Sequence, residues 1–281
     1  MNLRADPPRL YELPVPPGAE SPERPDPAAI AVSDLWLSYP GPRDGEPIHV
    51  LQQIDFKVKA GEFVCIVGPS GCGKTTLLNI IGGFLAPTKG EVLVESEPVN
   101  GPDPRRIFIF QEGGVFPWLN VRDNIAFGLG RRRRQERETS IEHYVEMVGL
   151  SGFERSYPRE LSGGMRQRVE IARALAANPE IIYMDEPFGA LDYITRFKMR
   201  ADLIRIWQGE RKTILFVTHD IEEAVQLADR VLVMTRRPAT VRADVAVELD
   251  RPRDLNDPAY LQARDRIFDT MGMNPHSGLV E

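Results

Sequence analysis

Cysteine is nearly missing from this sequence: Cys65 and Cys72 are the only two among 281 residues. They lie close together, on a predicted strand and the loop after it, too near in sequence to staple a fold. A disulfide framework and a cysteine-rich zinc module are both excluded, and a reduced compartment is the simpler expectation. Long apolar runs are missing too, and none approaches the roughly 18–20 residues of a membrane-spanning helix. Where a secretory leader would be apolar, the first residues carry Arg4, Asp6, Pro7 and Pro8. The chain is therefore expected to be soluble by itself, with any membrane role reached through a partner. There is no excess of positive charge: 35 Lys and Arg stand against 41 Asp and Glu, a net charge of −6. A nucleic-acid partner is not expected. No internal repeat is visible.

The rest of the composition is ordinary for a globular protein, with 42% hydrophobic and 27% charged residues. The length allows one large domain with a sizeable core, plus an arm. Residues 1–29 are rich in proline, which lacks the N–H that helices and ladders use, so an extended or disordered arm is expected there. Strand-like alternation begins near Ile30 and recurs at Ile54–Val58, and a continuous apolar strand follows at 63–67. A helix is predicted from Lys74 to about Phe84, stopped by Pro87. Strands are predicted at 91–94 and 106–110. The stretch from about Pro117 to Ser162 reads as mostly helical and polar. Arg131–Arg134, followed by Glu136, Glu138, Glu142 and Glu146, read as a solvated helical face. A helix over 163–178, a strand at 181–184, a helix over 192–208, a strand at 213–218, a helix from Ile221 and a strand at 230–234 complete an α/β alternation. Residues 236–281 are less periodic and are expected to hug the surface as a tail.

Two segments carry the chemistry. Residues 68–76 read GPSGCGKTT: Gly68, Gly73, Lys74 and Thr75 fit the pattern of a phosphate-binding loop, placed after a strand and before a helix as its mechanism requires. Glycines let backbone N–H groups turn inward around phosphate oxygens, and the following helix offers its positive end to the same anion. In this pattern Lys74 reaches the β- and γ-phosphates and the Thr75 hydroxyl can hold Mg2+. Pro69, Ser70, Gly71, Cys72 and Thr76 complete the cradle, and the chemistry calls for a nucleoside triphosphate with Mg2+. Oxidation of Cys72 would block the loop, although plain filler is the blander role for it. Residues 181–186 read IIYMDE, a buried strand ending in two acids. Asp185 is placed to hold the metal ion, and Glu186 to orient or deprotonate an attacking water. His219 ends another apolar strand that should lie on the same edge of a parallel sheet, where it could meet the γ-phosphate.

The second segment is SGGMRQR at 162–168. Ser162 can cap the following helix, and Gly163 and Gly164 expose backbone N–H groups at its positive end, which makes a second anion site. Taken in order with the phosphate loop, these residues resemble the nucleotide-binding subunit of an ATP-binding cassette transporter. LSGGM at 161–165 looks like the family signature, with Met165 where glutamine is usual. ALD at 190–192 looks like its D-loop, which brings Asp192 into the nucleotide set. Gln111, after IFIF, looks like the glutamine that contacts nucleotide and metal ion. Tyr39 is placed like the aromatic that stacks on adenine, with Trp36 a nearby competitor. The resemblance spans roughly residues 30–235. It implies an α/β fold of the P-loop NTPase class: a RecA-like parallel-sheet core with an antiparallel β subdomain and an inserted α-helical subdomain at about 112–165.

A narrower resemblance is to the ATPases of nitrate, sulfonate, taurine and bicarbonate importers, carried by FQEGGVFPWLNVRDNIAFGL (110–129), LSGGMRQR (161–168) and RPRD (251–254). Gly113, Gly114 and Phe116 depart from the usual form of the first, on a segment that in this family faces the permease. The resemblance implies a homodimer that clamps two ATP molecules, each between one chain's cradle and the other chain's Ser162–Gly164. It also implies membrane permease partners, an indirect solute-binding protein outside the membrane, and a peripheral place on the cytoplasmic face of the inner membrane. In this reading Glu186, His219 and Lys74 are catalytic, and Thr75, Gln111 and Asp185 hold the metal ion. A soluble cassette ATPase of DNA repair or translation is the alternative. Such chains usually carry coiled-coil insertions, zinc cysteines or fused cassettes, none of which this sequence has. A P-loop kinase or GTPase would leave SGGMRQR and His219 unexplained.

Overall fold

The computed structural model describes residues 28–41, 45–110, 114–130, 134–189 and 191–273. The first two strands, β1 (Ile30–Tyr39) and β2 (Ile48–Val58), pair antiparallel from Ile30 opposite Val58 to Tyr39 opposite Ile48. With β4 (Lys89–Val94) and the short β5 (Glu97–Pro98) they form a sheet of order β2-β1-β4-β5. Its β1 alternates buried and more exposed residues, as expected of a sheet with one face on the core.

The second sheet is built differently. Strand β3 (Phe63–Val67) is buried at every position. Its side chains alternate between two cores: Phe63, Cys65 and Val67 enter one, while Val64 and Ile66 enter the other. A continuous apolar run is thus what a strand covered on both faces requires. Around it lie β6 (Arg106–Ile109), β7 (Ile181–Asp185), β8 (Thr213–Val217), β9 (Arg230–Met234) and β10 (Val241–Ala246), in the order β10-β9-β3-β8-β7-β6. All pairings are parallel except that of β9 with β10. One face packs against the antiparallel sheet and α1 (Lys74–Ile81). The other carries α2 (Val121–Gly128), α3 (Arg134–Met147), α4 (Gly163–Ala176), α5 (Tyr193–Glu210) and α6 (Ile221–Leu227). This is the α/β architecture expected from the motifs, with an antiparallel sheet set against a parallel one.

Two expectations need correction. Helix α1 stops at Ile81, not near Phe84, because glycines end it before Pro87 can. Gly83 sits at φ +82°, and a Cβ there would lie 2.3 Å from the Gly101 carbonyl oxygen. The stretch from 236 onward is more than a surface tail. It supplies β10 and α7 (Pro258–Thr270), and Val245, Val247, Tyr260 and Ile267 are buried in the main core. The RPRD segment fastens it. Arg251 donates to the Asp229 carboxylate at 2.7 Å and to the Leu227 carbonyl at 2.6 Å. Arg253 donates to the carbonyls of Ala228 at 2.7 Å and Val247 at 3.0 Å. The proline-rich arm falls almost wholly outside the described residues, as do Gln111, Glu112, Gly113, Arg131–Arg133 and Ala190.

Candidate nucleotide site

The turn between β3 and α1 is a loop that only glycine can close. Gly71 and Gly73 take φ of +71° and +121°, and a Cβ on Gly73 would lie 3.1 Å from both Leu51 and Val50. Helix α1 then begins without a side-chain cap on its first N–H groups. Helices α2, α4, α5, α6 and α7 are all capped, by Asn120, Ser162, Asp192, Asp220 and Asp257. The α1 terminus therefore keeps its donors and its positive end for an anion. Lys74 is buried, and its ammonium donates to the carbonyls of Gly68 at 2.9 Å and Pro69 at 3.2 Å, which curls it back under the loop.

Parallel neighbours deliver the acids and the histidine to the same edge. Asp185 sits opposite Val217 in the β7–β8 register, so the residues that follow these two strands emerge side by side. The Thr75 hydroxyl donates to Asp185 Oδ1 at 3.1 Å. Burial pushes the Asp185 pKa up; the Thr75 bond opposes this and the adjacent Glu186 adds to it. A carboxylate held at a cost beside a hydroxyl is a good half-site for a hard cation, which would offset that cost. Among the described residues no cluster of three or more His, Cys, Asp or Glu could hold a metal by itself. The Thr75–Asp185 pair suits a hard cation such as Mg2+, which keeps waters and takes substrate phosphates as ligands beside one or two protein groups.

Glu186 stands in the left-handed region at φ +44°, a conformation that costs a non-glycine residue about 1–3 kcal/mol. The strained turn is held by Glu186 N–H to the Val217 carbonyl at 2.9 Å, and it aims the side chain at His219. Glu186 Oε2 and His219 Nδ1 are 2.9 Å apart. A carboxylate can only accept, so Nδ1 donates and Nε2 is left facing outward. Below His219 lies a buried ionic network. Thr218 donates to Glu223 at 2.6 Å, and Arg200 bridges Asp220 at 2.6 Å and Glu223 at 3.1 Å. Arg196 adds a bond to the Leu191 carbonyl at 3.1 Å, tying the start of α5 to the same cluster.

A cleft of about 490 Å³ collects the result: Tyr39, Ser70, Gly71, Gly73, Lys74, Thr75, Thr76 and Glu186 line it, with Ile48, Val50 and Arg237. Tyr39 closes β1 at its rim and is 42% exposed, while Trp36 bonds Asp34 through its indole N–H and lies outside the lining. Gly68, Pro69 and Cys72 belong to the loop but do not line the cleft. Cys72 is buried, which pushes its thiol pKa up and keeps it protonated.

Ser162, Gly163, Gly164 and Asp192 are not in this cleft. They make a second patch: Ser162 Oγ accepts from Met165 N–H at 3.3 Å, and Asp192 caps α5 by accepting from Thr195 N–H at 3.0 Å. The two helix starts touch, since a Cβ on Gly164 would lie 2.5 Å from Thr195 Cγ2. Met165, which replaces the usual glutamine, packs against the main core. Motif reasoning singled out every lining residue from Ser70 to Thr76 but not Ile48, Val50 or Arg237. Ile48 and Val50 carry no chemical signature, and Arg237 follows the last strand of the α/β alternation, beyond the motifs.

A family profile described as "ABC transporter" matches residues 51–189. The chain is 46% identical over 230 residues to an uncharacterized ABC transporter ATP-binding protein of Methanocaldococcus jannaschii, covering 81% of this chain and 86% of that one. The chain belongs to the ABC transporter family, as an ATP-binding protein. It is 43% identical over 241 residues to the nitrate import ATP-binding protein of Synechococcus elongatus, covering 83% and 87% of the two chains. With the taurine import ATP-binding protein of Roseobacter denitrificans it shares 40% identity over 248 residues, 85% and 92% of the two. Among solved structures, a dimeric, post-hydrolysis ATP-binding cassette bound to ADP and Pi superposes with a TM-score of 0.66 at 33% identity. That match covers 79% of this chain and all of the other. The protein is an ABC-type ATPase, and ATP is its nucleotide.

Proposed function

We propose that this protein is the ATP-hydrolysing subunit of an importer for a small anionic solute such as nitrate, a sulfonate or taurine. Two copies form the working unit, each ATP lying between one chain's cradle and the other chain's Ser162, Gly163 and Gly164. Tyr39 stacks on the base, the loop from Gly68 to Thr76 holds the phosphates, and Asp192 joins from the second patch. Thr75 and Asp185, with Gln111, would hold Mg2+, which neutralises phosphate charge when bound. Glu186 accepts a proton from the attacking water, and His219 holds that carboxylate in place through Nδ1, while Nε2, when the ring carries both protons, can donate to the γ-phosphate. Loss of the γ-phosphate removes the anion that both half-sites grip, so the pair reopens.

The membrane-facing side of the reading is supported by aromatic residues on either side of positions 111–113. Phe108 stacks on Phe110 at 4.5 Å with Phe84 beside them, and Phe116 contacts Trp118 at 5.4 Å and Phe127 at 4.7 Å. Trp118 and Phe127 are 70% and 63% exposed and both pack on Phe116, so they form one exposed aromatic patch suited to a partner. A permease docks there, placing the subunit peripherally on the cytoplasmic face of the membrane, with a solute-binding protein across it. Among the described residues no helix is long and apolar enough to cross a membrane.

The observation that carries the proposal is Thr75 and Glu186 lining one cleft, with Asp185 bonded to the first and His219 to the second. Glu186→Gln keeps the shape and removes the base. ATP-dependent dimerisation should persist while turnover falls by about 100-fold or more. Turnover at the parental rate would show that Glu186 is not the base. Recovery from membranes together with a multi-span protein tests the transport half; an ATPase found only in the soluble fraction would refute it.

A further inference from the structure

The cleft has two cations, Lys74 and Arg237. Lys74 turns two of its N–H donors back onto the carbonyls of Gly68 and Pro69. Arg237 has no hydrogen bond, ion pair or ring contact with any described residue, although Glu186 lines the same cleft. Its guanidinium lies against the phosphate loop: a Cβ added to Gly71 would be 3.3 Å from Arg237 Nη2. The bare glycine leaves the space that this group uses.

Arg237 is also on a built support. The turn after β9 is closed by Thr235 N–H to the Thr240 carbonyl at 3.1 Å and by Thr240 N–H to Thr235 Oγ1 at 2.9 Å. The buried Ala239 then ties the turn to β2. Its N–H donates to the Val50 carbonyl and its carbonyl accepts from Gln52 N–H, both at 2.9 Å. Val50 is itself a wall of the cleft. A turn fastened to the cleft wall at its base holds an unpaired guanidinium over a loop whose N–H groups are arranged for phosphate. A guanidinium offers several donors to phosphate oxygens without being deprotonated.

We propose that Arg237 is a phosphate-binding residue of this ATPase: it donates to the polyphosphate of the bound nucleotide from beside Gly71. The proposal rests on the nucleotide reading of the cleft and adds to it a residue outside the motif set. Arg236, its neighbour, lines a different cavity with Pro69 and Met234 and serves as the control.

The test measures ATP affinity by fluorescent-nucleotide competition on the full chain for the parent, Arg237→Ala, Arg237→Lys and Arg236→Ala, at low and high salt, with urea denaturation run alongside. Arg237→Ala should weaken ATP binding by about tenfold, as expected for loss of one charge-assisted contact at a partly solvated site. Arg237→Lys should recover most of that loss, Arg236→Ala should bind as the parent does, and the parent's advantage over Arg237→Ala should shrink in high salt. All four should unfold at similar urea concentrations. Parental affinity in Arg237→Ala, or a loss that Lys does not repair and salt does not diminish, overturns the assignment. A parent that binds no ATP removes the nucleotide reading itself and the inference with it.

Discussion

The contact between the starts of α4 and α5 makes a sharp distinction between two adjacent glycines. Gly163 is exposed, and a Cβ there would lie 3.5 Å from Leu191, an ordinary contact. Gly164 is buried, and the same addition would sit 2.5 Å from Thr195 Cγ2, roughly 1 Å inside the usual carbon–carbon separation. Thr195 cannot simply rotate the methyl away. Its backbone N–H binds Asp192, and its side chain lies close enough to that carboxyl to help hold it below the usual range. Replacing glycine by alanine favours helix equally at both sites, so the propensity cancels when the variants are compared. What remains is the overlap, worth about 1–3 kcal/mol for an overpacked site. Gly164→Ala should therefore be less stable than Gly163→Ala by that amount in urea denaturation. Thr195→Ser keeps the hydroxyl and deletes the methyl, so it should recover most of the loss when combined with Gly164→Ala. Gly163→Ala should fold normally yet lose at least about tenfold in ATPase rate if, as proposed, a phosphate from a second copy approaches the backbone N–H groups that its methyl would crowd. Equal stability of the two alanine variants, or no recovery on adding Thr195→Ser, would refute the packing argument.

Three further outcomes are expected. Tyr260→Phe should cost about 1 kcal/mol through loss of the 2.9 Å hydroxyl bond to Glu222, and Tyr260→Ala about 3–5 kcal/mol, in urea denaturation; a neutral alanine variant would mean that α7 is not part of the core. Asn124 is buried and binds Phe116 N–H and the Phe116, Leu119 and Asn120 carbonyls, so Asn124→Ala should cost about 2–3 kcal/mol and weaken co-purification with a membrane partner more than it weakens ATP binding. Burial raises the Glu170 pKa above its ordinary 4.5, so its contribution to stability is intact below that value and is lost as pH rises through the folded-state pKa. Glu170→Gln should match the parent below about pH 4.5, gain on it as pH rises through the folded-state pKa and hold that gain above it, as read by denaturation at each pH.

The elements that the sequence marked clearly were those with one dominant physical signal. Phe63–Val67 and Thr213–Val217 are apolar throughout because both faces of their sheet are covered, and GPSGCGKTT carries its own glycine-dictated geometry. Val241–Ala246 escaped notice because its inward positions include a small residue, Ala243, between charged outward ones, and because Pro238 and Pro252 flank it. Its place in the sheet is decided by tertiary bonds, among them those of Arg253 to carbonyls on both sides of β9. The register that sets Glu186 against His219 was legible only as two strand ends. Their 2.9 Å approach depends on parallel pairing and on the positive φ of Glu186, which no residue pattern announces.

The two anion-ready surfaces of this chain differ in how they meet the same requirement. At α1 the helix terminus is left uncapped and its lysine is folded under the loop, so the phosphate itself must satisfy the free donors. At α4 the Ser162 hydroxyl takes one N–H, which steadies the helix start without ligand and leaves Gly163 exposed for a weaker, second grip. The first arrangement is suited to holding nucleotide in a single chain. The second suits an encounter that must form when the γ-phosphate is present and release when it is gone. Because Thr195 and Gly164 are in contact, and Arg196 joins the same helix to Leu191 and to the cluster beneath His219, the exposed grip and the hydrolytic pair share one rigid support. In the proposed function, this shared helix is the route by which closure at Ser162–Gly164 would reach the Glu186–His219 pair.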